Sequence, residues 1–117
     1  MSLITTMLLT TIMNIQPIDR PHLTIAIGLT ESGMNKYAQG RAGERGAYQV
    51  IPRIHGAVPK DLMGQTAQHE RIMESLIREK KGRVDKAIIA YNGAGPKARQ
   101  YLVKVRKKVW ELIVVGV

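Results

Sequence analysis

Nine acidic side chains among 117 residues are few enough to weigh singly for proton chemistry. Most have an ordinary place. Asp19 and Asp61 read as caps, Asp85 can cap or pair, and Glu70, Glu74 and Glu79 lie on the polar side of a helical pattern. Glu111 is four residues from Lys107 and suited to pair with it. Glu44 stands among charged neighbours in a glycine-rich loop, where water is its expected partner. Glu31 differs. It follows the run LTIAIGLT, one of the least polar stretches of the chain, at the end of a helical pattern. Apolar surroundings and a helix C-terminus both penalise its charge and raise its proton affinity. A glutamate so placed can serve as a general acid near neutral pH.

Other chemistries lack their residues. The chain has no cysteine, which excludes a thiol nucleophile, a disulfide framework and Cys-ligated metal sites. His22, His55 and His69 show no metal-ligand spacing, and no cofactor or metal is expected. Lys and Arg number 18 against the nine acids, a net charge of +9. That balance points to a polyanionic partner: nucleic acid, anionic membrane or bacterial cell wall. One Trp, four Tyr and no Phe make a poor base-stacking platform. The densest basic run, Arg106 to Lys108, reads as a solvated helix face.

The elements that must position Glu31 follow from periodicity. Residues 3 to 15 carry Leu3, Ile4, Met7, Leu8, Ile12 and Ile15 on one helical face, with Ser2 as N-cap. This stretch is too short and too rich in Thr to span a membrane, and it lacks the basic start and cleavage site of a signal peptide. Pro21 opens a second helix, with Leu23, Ala26, Ile27 and Thr30 on its apolar face and Gly33 as its stop. Residues 33 to 65 are punctuated by Gly and Pro and read as loop, with a short extended stretch near Ala47 to Ile51. Further helices are expected over about 66–80, with Ile72, Met73, Leu76 and Ile77 inward, over about 83–91, and from Pro96 onward. The last shows Ala98, Tyr101, Leu102, Val105, Val109 and Leu112 on one face. Met34, Met63 and Met73 read as core filler. At 117 residues this is one domain, α+β but mainly helical. A long irregular segment inside such a domain is usually functional.

Two segments sharpen the expectation. From residue 31 the chain reads ESGMNKYAQGRAGERGAYQVIP, and later AIIAYNGAGPKARQYLVKV. Glu31, Ser32, Met34, Asn35 and Ala38, then Gly43, Gly46, Gln49, Val50 and Pro52, then Ala90, Tyr91, Asn92 and Gly93 with Gly95 and Pro96, occur in order. Tyr101 and Val105 follow. This pattern resembles the lytic transglycosylase domain of the soluble-transglycosylase type, a lysozyme-like (goose-type) fold that cleaves peptidoglycan. The resemblance covers roughly residues 23–106. It departs at Glu44, where the family has Ala, at Ala47-Tyr48 in place of Leu-Met, and at Gly40, where a Ser is frequent. The family's pattern that opens the middle helix is absent around Gln68 to Ile77.

The resemblance implies a single-acid mechanism at Glu31 that leaves a 1,6-anhydromuramoyl end. It implies Tyr91, whose hydroxyl would hold Glu31 in line, and Gln49 as a substrate amide contact. Asn92, Ser32 and Tyr48 complete the expected substrate-binding set, although Ser32 directly follows Glu31 and can bond locally, and Asn92 can instead fix the end of its helix. The partner implied is the glycan strand of bacterial peptidoglycan, met by a monomer without nucleic acid and without stable membrane insertion. Two alternatives stay open: a muramidase that hydrolyses the same bond, and a basic helical nucleic-acid-binding domain. The substrate lies in the periplasm or outside the cell. With no recognisable signal peptide, a phage virion component or a phage lysin fits.

Overall fold

The computed structural model describes residues 20–93 and 95–116. The helix expected over residues 3–15 and the Asp19 cap lie outside them. The first described helix, α1 (Arg20–Ser32), buries Leu23, Ala26, Ile27 and Gly28. It ends where Gly33 and then Met34 turn left-handed, at φ 67° and 63°. Their N–H groups return to the carbonyls of Leu29 and Gly28 at 3.0 and 3.1 Å, which satisfies the helix end. Gly28 has no side chain where the loop crosses it. A Cβ there would collide with Met34 Sδ and stand 3.0 Å from the Tyr48 ring.

The segment between α1 and the next long helix is irregular apart from the single turn α2 (Pro52–His55). Two isolated antiparallel bridges, Gln39 to Arg45 and Arg45 to Val50, are its only extended pairing among the described residues. The expected extended stretch at 47–51 is therefore mostly a turn over Gly46–Gln49, and the β part of the expected α+β class shrinks to these bridges. The described chain is mainly helical.

Helix α3 (Leu62–Glu79) starts four residues before the expected boundary. Asp61 is its N-cap, accepting from the Gly64 N–H at 3.3 Å. Its inner face holds Met73 and Ile77, as expected, and also Gln65, Gln68 and His69. Ile72 and Leu76 are only partly buried. Met63 is 80% exposed and fills no core, because it sits in the first turn of α3, on the side away from the neighbouring helices. Lys81 and Gly82, both at positive φ, carry the chain into α4 (Val84–Asn92), which buries Ala87 and Ile88.

Pro96 opens α5 (Pro96–Val114), and Ala98, Tyr101, Leu102, Val105 and Val109 form its buried stripe. Helix α5 packs against α1 and α4, and α4 in turn against α3. Leu23, Ile27, Ile88 and Val105 are almost wholly removed from water. Each such side chain contributes about 1.5–3 kcal/mol. On the outer face Glu111 pairs with Lys108 at 3.0 Å rather than with Lys107, the i, i+3 spacing bringing the two ends together.

Candidate active site

Glu31 sits in the last turn of α1, half-buried, at the point where the loop and helices α4 and α5 converge. Burial raises its proton affinity above the ordinary carboxyl value. The Tyr101 hydroxyl opposes the shift, and the charge of Glu44 adds to it. The direction agrees with the sequence reading, with desolvation as the main cause. Tyr101 reaches Glu31 from the buried stripe of α5. Its hydroxyl is within electrostatic range of the carboxyl but closes no hydrogen bond of good geometry.

The loop facing Glu31 is fastened by side chains. Ser32 Oγ donates to the Ala47 carbonyl at 2.7 Å and accepts from the Asn35 N–H at 2.9 Å. Gln65, 3% exposed, accepts from the Ala47 N–H at 2.9 Å and donates to the carbonyls of Lys36 and Pro59 at 3.1 and 2.8 Å. Gly46 makes room for this amide, since a Cβ there would lie 2.7 Å from Gln65 Oε1. Tyr48 stacks on His69 with ring centres 4.4 Å apart, and the edge of Tyr91 meets the same imidazole at 5.0 Å. Neither nitrogen of His69 has a hydrogen-bond partner, and burial pushes its pKa down to about 3. The imidazole is therefore a neutral ring in an aromatic stack.

The expected site residues divide accordingly. Glu31 and Tyr91 do come together: burial raises the proton affinity of Tyr91, and the nearby charge of Glu31 adds to that. Yet the Tyr91 hydroxyl donates to the Tyr48 carbonyl at 2.6 Å, so the expected bond to Glu31 is replaced by a bond to the loop. Tyr48 is 1% exposed, with its hydroxyl on Thr66 at 2.9 Å. It is a core residue and cannot touch a substrate. Ser32 is likewise occupied in holding the loop. Gln49 is half-buried at φ 51°, a strained conformation for a residue with a side chain. Its Nε2 donates to the Gly46 carbonyl at 2.9 Å, which leaves its oxygen facing Gly40. Asn92 is exposed at the last position of α4.

Two participants were not read from the sequence as part of the site. Tyr101 was assigned only to the apolar stripe of the last helix and to the end of the motif pattern; its polar end is what faces Glu31. Glu44 was assigned to water, yet its Oε1 is buried without a hydrogen-bond partner. On another side of the same loop, a cavity of about 610 Å³ is lined by Lys36, Tyr37, Arg45, Val58, Pro59 and Lys60 among others. Its charged lining residues are all cations.

No protein family matches the chain, and no similar curated protein or solved structure was found. Among the described residues no three His, Asp or Glu side chains are grouped as metal ligands, and no helix is long and apolar enough to cross a membrane.

Proposed function

We propose that this protein is a peptidoglycan lytic transglycosylase with a lysozyme-like fold, in which Glu31 serves in turn as acid and base. The observation that carries the reading is the Glu31 carboxyl itself: half-buried at a helix end, with raised proton affinity, and facing a tyrosine and a fastened glycine-rich loop. A carboxyl whose proton affinity is raised by burial is better suited both to give a proton and to take one back. The three sequence blocks shared with the soluble-transglycosylase pattern supply the substrate class.

In the proposed reaction Glu31 gives its proton to the glycosidic oxygen between N-acetylmuramic acid and N-acetylglucosamine, and the C1–O bond breaks. The substrate's acetamido group can stabilise the oxocarbenium-like centre. Glu31, now a carboxylate, takes the proton of the muramoyl 6-hydroxyl while that oxygen bonds to C1. The acid is regenerated, no water is consumed, and a 1,6-anhydro end results. Gln49 has an amide oxygen left to meet a substrate N–H, and Asn92 is exposed at the end of α4. The protein would act as a monomer on wall outside the cytoplasm, as a phage virion component or lysin would.

Mass spectrometry of purified wall digested with the protein tests this. Anhydromuramoyl ends are expected, and Glu31→Gln should lower their formation by at least about 10²–10⁴-fold, the usual worth of general acid–base catalysis. Reducing ends in place of anhydro ends would mean hydrolysis. Normal digestion by the Gln variant would remove Glu31 from the chemistry.

A further inference from the structure

The cavity of about 610 Å³ beside the loop takes no part in the proposed chemistry. Three cations line it, Lys36, Arg45 and Lys60, and no acidic side chain does. Among the described residues none of the three is in an ion pair. The backbone that carries them is fixed. The buried amide nitrogen of Gln65 donates to the carbonyls of Lys36 at 3.1 Å and Pro59 at 2.8 Å, so one amide ties together the segments that bear Lys36 and Lys60. Arg45 is held between Gln39 and Val50 by the two bridges, and the Gly46 N–H donates to the Ala38 carbonyl at 2.8 Å. Lys36 Nζ stands 5.2 Å from the centre of the Tyr37 ring, which is 76% exposed. Like charges gathered on fixed backbone repel one another, and a bound anion offsets that repulsion.

We propose that this cavity binds a short acidic peptide of small residues, with its carboxylates against Lys36, Arg45 and Lys60. The other walls include Ala38, Ala57, Val58 and Pro59. These are apolar and short, so they suit a ligand body of alanine size. The volume falls in the range of small-ligand sites, about 300–1,000 Å³. A phosphate site would add converging backbone N–H groups, as at a helix start. The helix that begins beside Lys60, α3, is instead capped by its own Asp61, which accepts from the Gly64 N–H at 3.3 Å. The cations also come from three separate segments of the chain, which suits carboxylates spaced along a peptide better than one compact anion. Peptidoglycan carries peptides of alanine and acidic residues on its muramic acid. The inference therefore rests on the proposed function for the source of its ligand, and extends that function from the glycan to the peptide.

The probe is N-acetyl-alanyl-D-glutamate, titrated into nitrogen-15-labelled protein and followed by NMR of the backbone amides. Shifts are expected at residues 36–39, 45–46 and 57–60. The diamide of the same dipeptide, which carries no carboxylate, should leave those signals in place. Lys36→Gln and Lys60→Gln should each weaken binding roughly two- to fivefold, as one exposed charge pair contributes. Their Tm should not change, because Gln65 holds backbone carbonyls that both variants keep. Lys80→Gln combined with Lys81→Gln removes two charges from the turn between α3 and α4 and should leave the affinity as it was. An equal loss from that other turn would reduce the effect to net charge and overturn the site. No binding of the dipeptide, binding of the diamide as strong, or inorganic phosphate shifting the same amides more strongly would each overturn the peptide assignment. Binding is read without wall present. A chain that binds the dipeptide but leaves wall uncut sinks only the proposed function, and one that cuts wall but ignores the dipeptide sinks only this inference.

Discussion

Tyr91 approaches Glu31, yet its hydroxyl is committed to the Tyr48 carbonyl at 2.6 Å. Its role is thereby set by a backbone acceptor that no sequence pattern displays. Tyr91→Phe would leave that carbonyl unpaired in the interior, at a cost of roughly 1–3 kcal/mol. Thermal unfolding should therefore show a Tm lower by several degrees, with the pH profile of activity keeping its shape. An unchanged Tm with a displaced pH profile would return the hydroxyl to Glu31. At this scale Glu31 was legible because its own neighbours in the chain, LTIAIGLT, supply its apolar surroundings. Glu44 was not, since its side chain folds into the space that Gly40 leaves, four positions earlier. Tyr101 was half legible: helical spacing gave its buried side and said nothing of where its hydroxyl would end.

Four of the five described helices were readable from apolar spacing; the single turn α2 lies in the stretch that reads as loop, and α3 begins ahead of its pattern. Its first turn, residues 62–65, reads as loop because Pro59 and Gly64 punctuate it, and the buried Gln65, Gln68 and His69 give no apolar signal. They are buried since the loop beside them presents carbonyls and amides that need partners: Gln65 meets Ala47, Lys36 and Pro59, and Gln68 donates to Ala57 at 3.2 Å. His69 joins loop, α3 and α4 through its ring alone. Its folded pKa of about 3 lies below the ordinary value of 6.5. Between these values the unfolded chain binds a proton that the folded chain refuses, so stability is complete above the upper value and falls as pH falls through the window. At about 1.4 kcal/mol per unit the loss reaches roughly 5 kcal/mol at the acid end. Denaturant titrations at several pH values should show this slope in the natural chain and a flatter one in His69→Phe. Equal slopes would mean that the imidazole is not protected as its burial requires.

Over the whole molecule the net charge of +9 is spread across helix faces and loop, with Lys36, Arg45 and Lys60 gathered at one cavity. Exposed charges of this kind act at range and are screened within about 8 Å at physiological ionic strength. If the proposed function holds, wall cleavage should accordingly decline as salt is raised from low to several hundred millimolar, chiefly through weaker association. Constant activity across that range would assign the basic residues to something other than the wall. The overall architecture was legible as mainly helical from periodicity, whereas the expected sheet component was not realised. Glycine and short extended runs signal a bend equally well whether the chain pairs with itself or is pinned by side chains from elsewhere.

That pinning has a consequence for digestion. Between residues 33 and 61 stand five trypsin targets, Lys36, Arg41, Arg45, Arg53 and Lys60, in a stretch with little regular structure. A slack loop of that composition would be nicked within minutes. Here Ser32, Gln65 and Tyr91 fasten its backbone to three helices, and a protease needs several residues of slack chain in its cleft. Cleavage should wait for the helices themselves to part, so its rate should track global unfolding. Gln65→Ala should instead free the loop for early cuts at Arg45 and Lys60 while the helical signal of the remainder persists. Such a loop is long in residues and short in motion, which lets the half-buried Glu31 carboxyl be faced by irregular backbone that resists proteolysis.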